Sequence, residues 1–430
     1  MMKVFFLLGQ KMSFKALREF FYLFCLIYAY YLNLALDNRL YIYLLVLCCL
    51  VHFLLISQVR FSNSLFILTI FSTFYPLVIL IAEILSIPYH VYTNYQTQEL
   101  TLKVLLIQTV SLRLILFNLK VSSSDRYMKF VNIEQRNSAI IFYSLLICLL
   151  VMIVISTYSK TTVLNGTYSA NSDSSIFFEY CIPFIIGAWL YAGSNFKKKL
   201  LFLVCVIFAF LPLLYGRRLP FLMVSLLIAN LYFLHRYSYR SVFLFVMLGF
   251  MGLSFIALLR IGGEGSILSA LLNISESGVM ENNQGGVVVS AASYLGLIDD
   301  GFFDLEFRMM SLLGLIISPF TMGDFSIQET YVNFSAMKYT PIPGNGGLPG
   351  VYFFLWCGWV GVFAFSALLN YLIRYKDSNR YIGVYIIFLL VTFPRWYAYN
   401  MIILVKMGFW LIFLIYLIDQ FYEKSKKQQY

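Results

Sequence analysis

The sequence predicts an all-α polytopic integral membrane protein: about 12 transmembrane helices and one large external loop containing short helices. Three observations lead there. The 430 residues are 61% hydrophobic and 12% charged, against roughly 25% charged in soluble domains, and mean hydropathy is +0.80. The apolar residues fall in runs of about 20, the number that crosses ~30 Å of hydrocarbon at ~1.5 Å per residue. Lys and Arg gather on alternate connections, as they do on the cytoplasmic side of membrane proteins. No long polar stretch separates two hydrophobic blocks, so 1–430 reads as a single membrane domain.

Taken in order, the spans lie near 19–36, 40–57, 64–87, 99–119, 138–157, 176–194, 200–215, 219–235, 241–260, 349–373, 381–396 and 401–419. The first follows Lys3, Lys11, Lys15 and Arg18, which places the N-terminus in the cytoplasm. No cleavable signal is evident, so this run reads as a span. The second starts after external Arg39 and ends at internal Arg60. The third leads out to a polar, tyrosine-rich turn, and the fourth returns to Lys120, Arg126, Lys129 and Arg136. The fifth leads out to Lys160, and the sixth returns to Lys197, Lys198 and Lys199. The seventh is short and pairs with the eighth as a tight hairpin about Gly216-Arg217-Arg218. Arg236 and Arg240 follow inside, and the ninth span emerges at Arg260. The tenth descends to Arg374, Lys376 and Arg380. The eleventh rises to Arg395, and the last ends at Lys424, Lys426 and Lys427. Twenty of the 31 Lys and Arg are then inside, eight outside and three (Lys103, Arg113, Lys406) within spans. Both termini are therefore expected in the cytoplasm.

The connection 261–348 is far longer than the others. Such loops generally have a purpose of their own. Helical character is expected near 286–297 and 302–320, separated by Asp299, Asp300 and Gly301. The second part begins with Asp304, Glu306 and Arg308 and then turns apolar, as in a segment lying in the membrane interface. No internal repeat is visible, which argues against a secondary transporter.

The net charge of +11 follows from the cytoplasmic cations and does not imply nucleic acid. All seven cysteines lie in hydrophobic runs without metal-ligand spacing, so neither disulfides nor a structural metal is expected. No phosphate-binding glycine loop or zinc-protease signature is present. The informative charges are those that break the positive-inside pattern, because a charge within the bilayer costs roughly 2.5–3.5 kcal/mol. Glu83, Lys103, Glu179, Arg217, Arg218, Arg260, Arg395 and Lys406 all fall near outer span ends. Arginine there either snorkels to headgroups or holds phosphate through its paired donors. External carboxylates are Asp299, Asp300, Asp304, Glu306, Asp324 and Glu329. Any of them could serve as a general base if burial tuned it. Tyr331 and Tyr339, beside the Pro341–Gly347 turn, are candidate sugar-stacking residues.

Three stretches resemble the Wzy-type O-antigen and capsule repeat-unit polymerases, GT-C-type bacterial inner-membrane enzymes related to the O-antigen ligases. Gly216-Arg217-Arg218-Leu219-Pro220 resembles the family's Arg-containing turn between spans. Asp304-Leu-Glu-Phe-Arg308 resembles the loop Arg that opens a helix. Gly347-Leu-Pro-Gly-Val-Tyr352 through Cys357-Gly358-Trp-Val-Gly361-Val362 resembles the Gly-rich span after the large loop. The resemblance covers most of 140–420 and is mainly architectural. It implies that Arg217 or Arg218 and Arg308 hold a lipid pyrophosphate, with Arg260 as a third contact; Arg395 joins them as a candidate through its charge at an outer span end. Related ligases place a His-Asn pair near the end of the loop. Here that region reads Glu329-Thr-Tyr-Val-Asn333, so Glu329 is the nearest candidate base. The implied reaction extends a glycan on undecaprenyl pyrophosphate by a second lipid-linked unit, without metal or cofactor. The implied partners are the two lipid-linked oligosaccharides, membrane lipid and a chain-length regulator protein. The alternatives are a lipid-linked oligosaccharide flippase or transporter and an O-antigen ligase.

Overall fold

The computed structural model describes residues 38–59, 63–85, 97–117, 133–157, 177–214, 218–233, 241, 244, 249, 283–321, 332, 336, 339, 346–399 and 401–427. The span expected at 19–36 lies outside them, as does nearly all of 241–260. The helices are α1 (Asn38–Val59), α2 (Asn63–Leu85), α3 (Thr97–Ile115), α4 (Ala139–Thr157), α5 (Phe177–Leu190), α6 (Asn195–Leu214) and α7 (Arg218–Ile228). They continue with α8 (Asn283–Asp299), α9 (Leu305–Ile317), α10 (Pro349–Arg374), α11 (Arg380–Val391), α12 (Phe393–Ala398) and α13 (Gly408–Lys427). A π-turn, Ala229–Phe233, prolongs α7, a second, Ile403–Met407, leads into α13, and a 3₁₀ turn, Ser318–Phe320, follows α9. No strand occurs among the described residues.

Four helical stretches are long and apolar enough to cross a membrane: Phe66–Ile84, Ala139–Thr157, Pro349–Arg374 and Ile403–Lys426. The solvent facing them is legible on α4. Ile141, Phe142, Leu145 and Leu149 point into the bundle, while Ile140, Tyr143, Ile147, Leu150 and Val154 point out of it. A helix apolar on both faces suits lipid on the outer one.

Apolar burial gains little where lipid tails are the alternative, so packing and interhelical hydrogen bonds must hold such helices together. A polar seam does this here. Gln108 on α3 donates to the Tyr397 hydroxyl on α12 at 2.8 Å and accepts from the Gly350 amide of α10 at 3.0 Å. The latter amide sits in the first turn of its helix, where it has no partner of its own. Ser366 donates to the Ser111 carbonyl at 3.1 Å. Asn370 caps the end of α3 through the carbonyls of Ile115 and Phe117. Each such bond contributes roughly 0.6–1.7 kcal/mol in a membrane.

The tenth expected span is not one helix. Cys357 (φ −134°, ψ 17°) and Gly358 (φ 59°, ψ −148°) break α10. In a continuous helix Phe353 and Phe365 would stand ~18 Å apart along the axis, yet their rings stack at 4.4 Å. Gly350 and Ser366 would be ~24 Å apart, yet both bond to adjacent turns of α3. The chain therefore reverses at Gly358. A short arm, 349–356, lies against a long arm, 359–374. Gly358 is there because only glycine readily adopts positive φ with ψ near −150°.

The region 261–348, read from sequence as an external loop, carries helices where helical character is expected. α8 is no surface element. It packs between α2, α3 and α10, and Val287, Val288, Ala291, Tyr294 and Leu295 are buried. Its start meets Gly346, where a Cβ would stand 2.7 Å from Val287 Cγ2 and 3.3 Å from the Ala398 carbonyl. That approach requires glycine.

One end of the bundle is fastened by charge. Asp419 of α13 accepts from Arg136 at 2.9 Å, from Arg380 at 3.1 Å and from the Tyr191 hydroxyl. Arg136 also reaches Glu423 at 3.0 Å and lies over the Tyr422 ring. This joins the start of α4, the end of α5, the start of α11 and the end of α13. The end of α10 lies beside it, because only 375–379 separate α10 from α11.

Candidate functional site

The opposite end holds a smaller set of charges. α5 runs away from Tyr191 back to Glu179, and α11 runs away from Arg380 toward Arg395. α3 runs from Lys103 toward the end capped by Asn370. Lys103 pairs with Asp299 at 3.5 Å, in an exposed geometry that contributes little.

Arg395 on α12 forms an ion pair with Glu179, its Nε 3.2 Å from the carboxylate, with side chains 30% and 12% exposed. Its guanidinium lies 5.7 Å from the Tyr399 ring centroid. α12 exists because Thr392 interrupts α11 and Pro394 starts a new helix, where a missing amide costs nothing. The break turns Arg395 toward α5 while Trp396 and Tyr397 stay buried.

Arg308 stands one turn into α9, whose start is set by Asp304. The Asp304 carboxylate accepts from the Phe307 amide at 2.8 Å. Arg308 Nε donates to the Leu355 carbonyl at the tip of the short arm. One turn along α9, Ser311 accepts from the Trp356 indole at 3.1 Å. Tyr352 stacks on Trp356 at 5.8 Å, and its hydroxyl donates to the Tyr399 carbonyl at 2.8 Å.

These links tie both arginines to one feature. Arg308 holds Leu355 directly. Arg395 lies over Tyr399, which holds Tyr352, and Tyr352 and Leu355 share a face of the short arm. Each guanidinium commits Nε to the protein. Among the described residues neither has a hydrogen bond from its Nη atoms. A planar fork held at Nε with its Nη edge open suits a phosphoryl oxygen pair.

Of the residues singled out from sequence, Arg308 and Arg395 are thus brought to the short arm. Tyr339 is half-exposed and its ring lies 4.7 Å from Phe302, between α8 and α9. Among the described residues it makes no hydrogen bond or ring contact with either arginine. Arg218 is the first residue of α7, and its side chain lies outside the described residues. Arg217, Arg260, Glu329 and Tyr331 lie outside them altogether. The sequence reading omitted Glu179 from the site, although its charge at a span end was the signal. It also omitted Tyr352 and Tyr399, which look like ordinary membrane-interface tyrosines until the reversal at Gly358 joins them.

Comparison with protein-family models, with curated proteins and with solved structures finds no match to this chain.

Proposed function

We propose that this chain is a polymerase of lipid-linked oligosaccharide repeat units, of the Wzy type. In this reading it has about twelve spans, with both termini in the cytoplasm, and works at the outer face of the bacterial inner membrane. The observation that carries the reading is the pair of arginines, Arg308 and Arg395, tied to one face of the short arm with no hydrogen bond from their Nη atoms among the described residues. Such a pair suits the pyrophosphate of an undecaprenyl-linked glycan.

In the reaction the acceptor hydroxyl oxygen attacks the anomeric carbon of the donor glycan. A new C–O bond forms as the bond to pyrophosphate breaks, and the pyrophosphate leaves with the electron pair. Arginine donors offset the charge that develops on it, so the acceptor needs positioning more than activation. The hydroxyl proton passes to a carboxylate. Glu329 is the carboxylate nearest in sequence to where related ligases place a His-Asn pair, and Glu179 is the carboxylate held beside Arg395.

Deleting the gene in its own host and resolving the surface polysaccharide on a gel tests this. A ladder collapsed to a single repeat unit is the expected result. Loss of all surface repeats with lipid-linked polymer retained would mean a ligase. Single lipid-linked units stranded on the cytoplasmic side would mean a flippase.

A further inference from the structure

Helix α9 carries an apolar face that the described chain touches only at its two ends, where Tyr339 meets Phe302 and Phe409 meets Phe320. Phe302, Leu305, Met309, Leu313, Ile316 and Phe320 follow one another at three- or four-residue steps, and all are exposed. Leu305 is 66%, Ile316 57% and Phe320 72% exposed. The opposite face, Ser311, Gly314, Leu315 and Ser318, is buried. No charged residue occurs from Met309 to Phe320. A face of this kind standing in water would be an aggregation site.

Both ends of α9 are anchored to the bundle, at heights that follow from helix rise measured from the charged end. At its C-terminal end the Trp410 indole donates to the Pro319 carbonyl at 2.9 Å, and Lys406 donates to the Thr321 carbonyl at 2.9 Å. Lys406 is ~20 Å along the helix axis from the Asp419 network. At the other end Arg308 holds Leu355 beside the Gly358 reversal. The long arm of α10 puts that tip ~22 Å from Arg374. The two anchors therefore stand at similar heights above the charged end, within the ~30 Å of a hydrocarbon core. The face also continues into that of α13. Phe320 meets Phe409 at 5.2 Å, and Phe409 stacks with Phe413 at 6.1 Å. Phe409 and Phe413 belong to a stretch apolar enough to cross a membrane.

We infer that α9 is an in-plane helix within the membrane, its exposed face packed against phospholipid acyl chains and not part of an aqueous loop. Its occupant is the hydrocarbon of one leaflet. Asp304 and Glu306 mark the end at which the chain meets polar surroundings. This does not rest on the polymerase reading and survives its failure.

The test puts tryptophan at Leu313 or Ile316 in the full chain, reconstituted into phosphatidylcholine vesicles with or without bromine on the acyl chains. The emission added over the parent protein is expected to be blue-shifted, lost in brominated vesicles and untouched by aqueous iodide. Glu306→Trp is expected to respond to iodide. Iodide quenching at 313 and 316 would overturn the inference in favour of a solvated loop. Quenching by neither agent would overturn it in favour of cover by protein, such as a second copy. Should the variants fail to reconstitute, the unsubstituted chain in vesicles of acyl-diazirine phosphatidylcholine decides it. Adducts on Met309, Met310, Leu313 or Ile316 support the inference. Adducts on α4 and α13 with none on 302–320 overturn it.

Discussion

At the scale of single residues, Arg308 and Arg395 do different things with the same group. Arg308 holds only a backbone carbonyl, so Arg308→Ala leaves no charge stranded. Its expected effect is on chain extension, a loss of roughly 100-fold if one donor to the leaving group is removed. Thermal stability in detergent should stay near that of the parent. Arg308→Lys should restore only part, because a point charge does not reproduce the fork. Normal-length polymer from Arg308→Ala would end its assignment to pyrophosphate. Arg395→Ala removes the partner of the mostly buried Glu179 and should destabilise as well, by about 1–3 kcal/mol given the partial exposure of the pair. Adding Glu179→Gln to Arg395→Ala should recover part of that stability but none of the activity, since the arginine is still missing. A double variant as unstable as the sum of the singles would mean that the two side chains do not interact. Asp419 is the more buried carboxylate, 3% exposed and serving three donors. Asp419→Asn leaves Arg380 without its anion and Arg136 with Glu423 alone and should cost about 3–5 kcal/mol, read as a lowered melting temperature.

At the scale of elements, two glycines separate two physical causes. A Cβ at Gly358 meets nothing within 4 Å, so Gly358→Ala tests backbone conformation alone. With φ 59° and ψ −148° it should cost roughly 1–3 kcal/mol. At Gly346 no positive φ is involved, and the Cβ of Gly346→Ala would collide with Val287 and press on the Ala398 carbonyl. Its cost should fall when Val287→Ala is added, whereas that of Gly358→Ala should not. Equal rescue of both would refute the distinction. These positions also show what hydropathy can and cannot reveal. The expected spans at 40–57, 64–87, 99–119 and 138–157 match α1 to α4 closely, because a run of apolar residues reports its own length. The run at 349–373 has the same composition and length but folds into two arms. One backbone angle at Gly358 decides that, and hydropathy does not record it. α8 was invisible as a bundle element for the converse reason. Its 17 residues fall at the short limit for a span, and the missing side chain at Gly346 makes room for it beside Val287. The arginines of the site were recognisable by their charge in an apolar context. Glu179 and the two tyrosines that tie them together needed the fold.

At the scale of the whole molecule, the two ends are built differently, and this bears on orientation. The Asp419 end combines a buried ion network with exposed cations that the positive-inside pattern assigns to the cytoplasm, among them Lys199, Arg374 and Lys424. At the opposite end each cation whose side chain is described is tied to a particular partner: Lys103 to Asp299, Arg395 to Glu179, Arg308 to Leu355 and Lys406 to Thr321. Positive surface charge resists transfer across the membrane during insertion, so the Asp419 end should stay inside. A fluorescent-protein fusion after Lys427 should then fluoresce, and a phosphatase fusion at the same point should be inactive. A phosphatase inserted between Asp300 and Asp304, at the end of α8, should be active if that end is external. The opposite pattern would place Arg308 and Arg395 on the cytoplasmic side. It would remove the basis for extending glycans at the outer face, whatever the polysaccharide ladder of the arginine variants showed. The acyl-chain contact of α9 would stand in either orientation, because it follows from depth and not from direction. The fusion experiment therefore tests where the site works, the arginine variants test what it holds, and the two can fail separately.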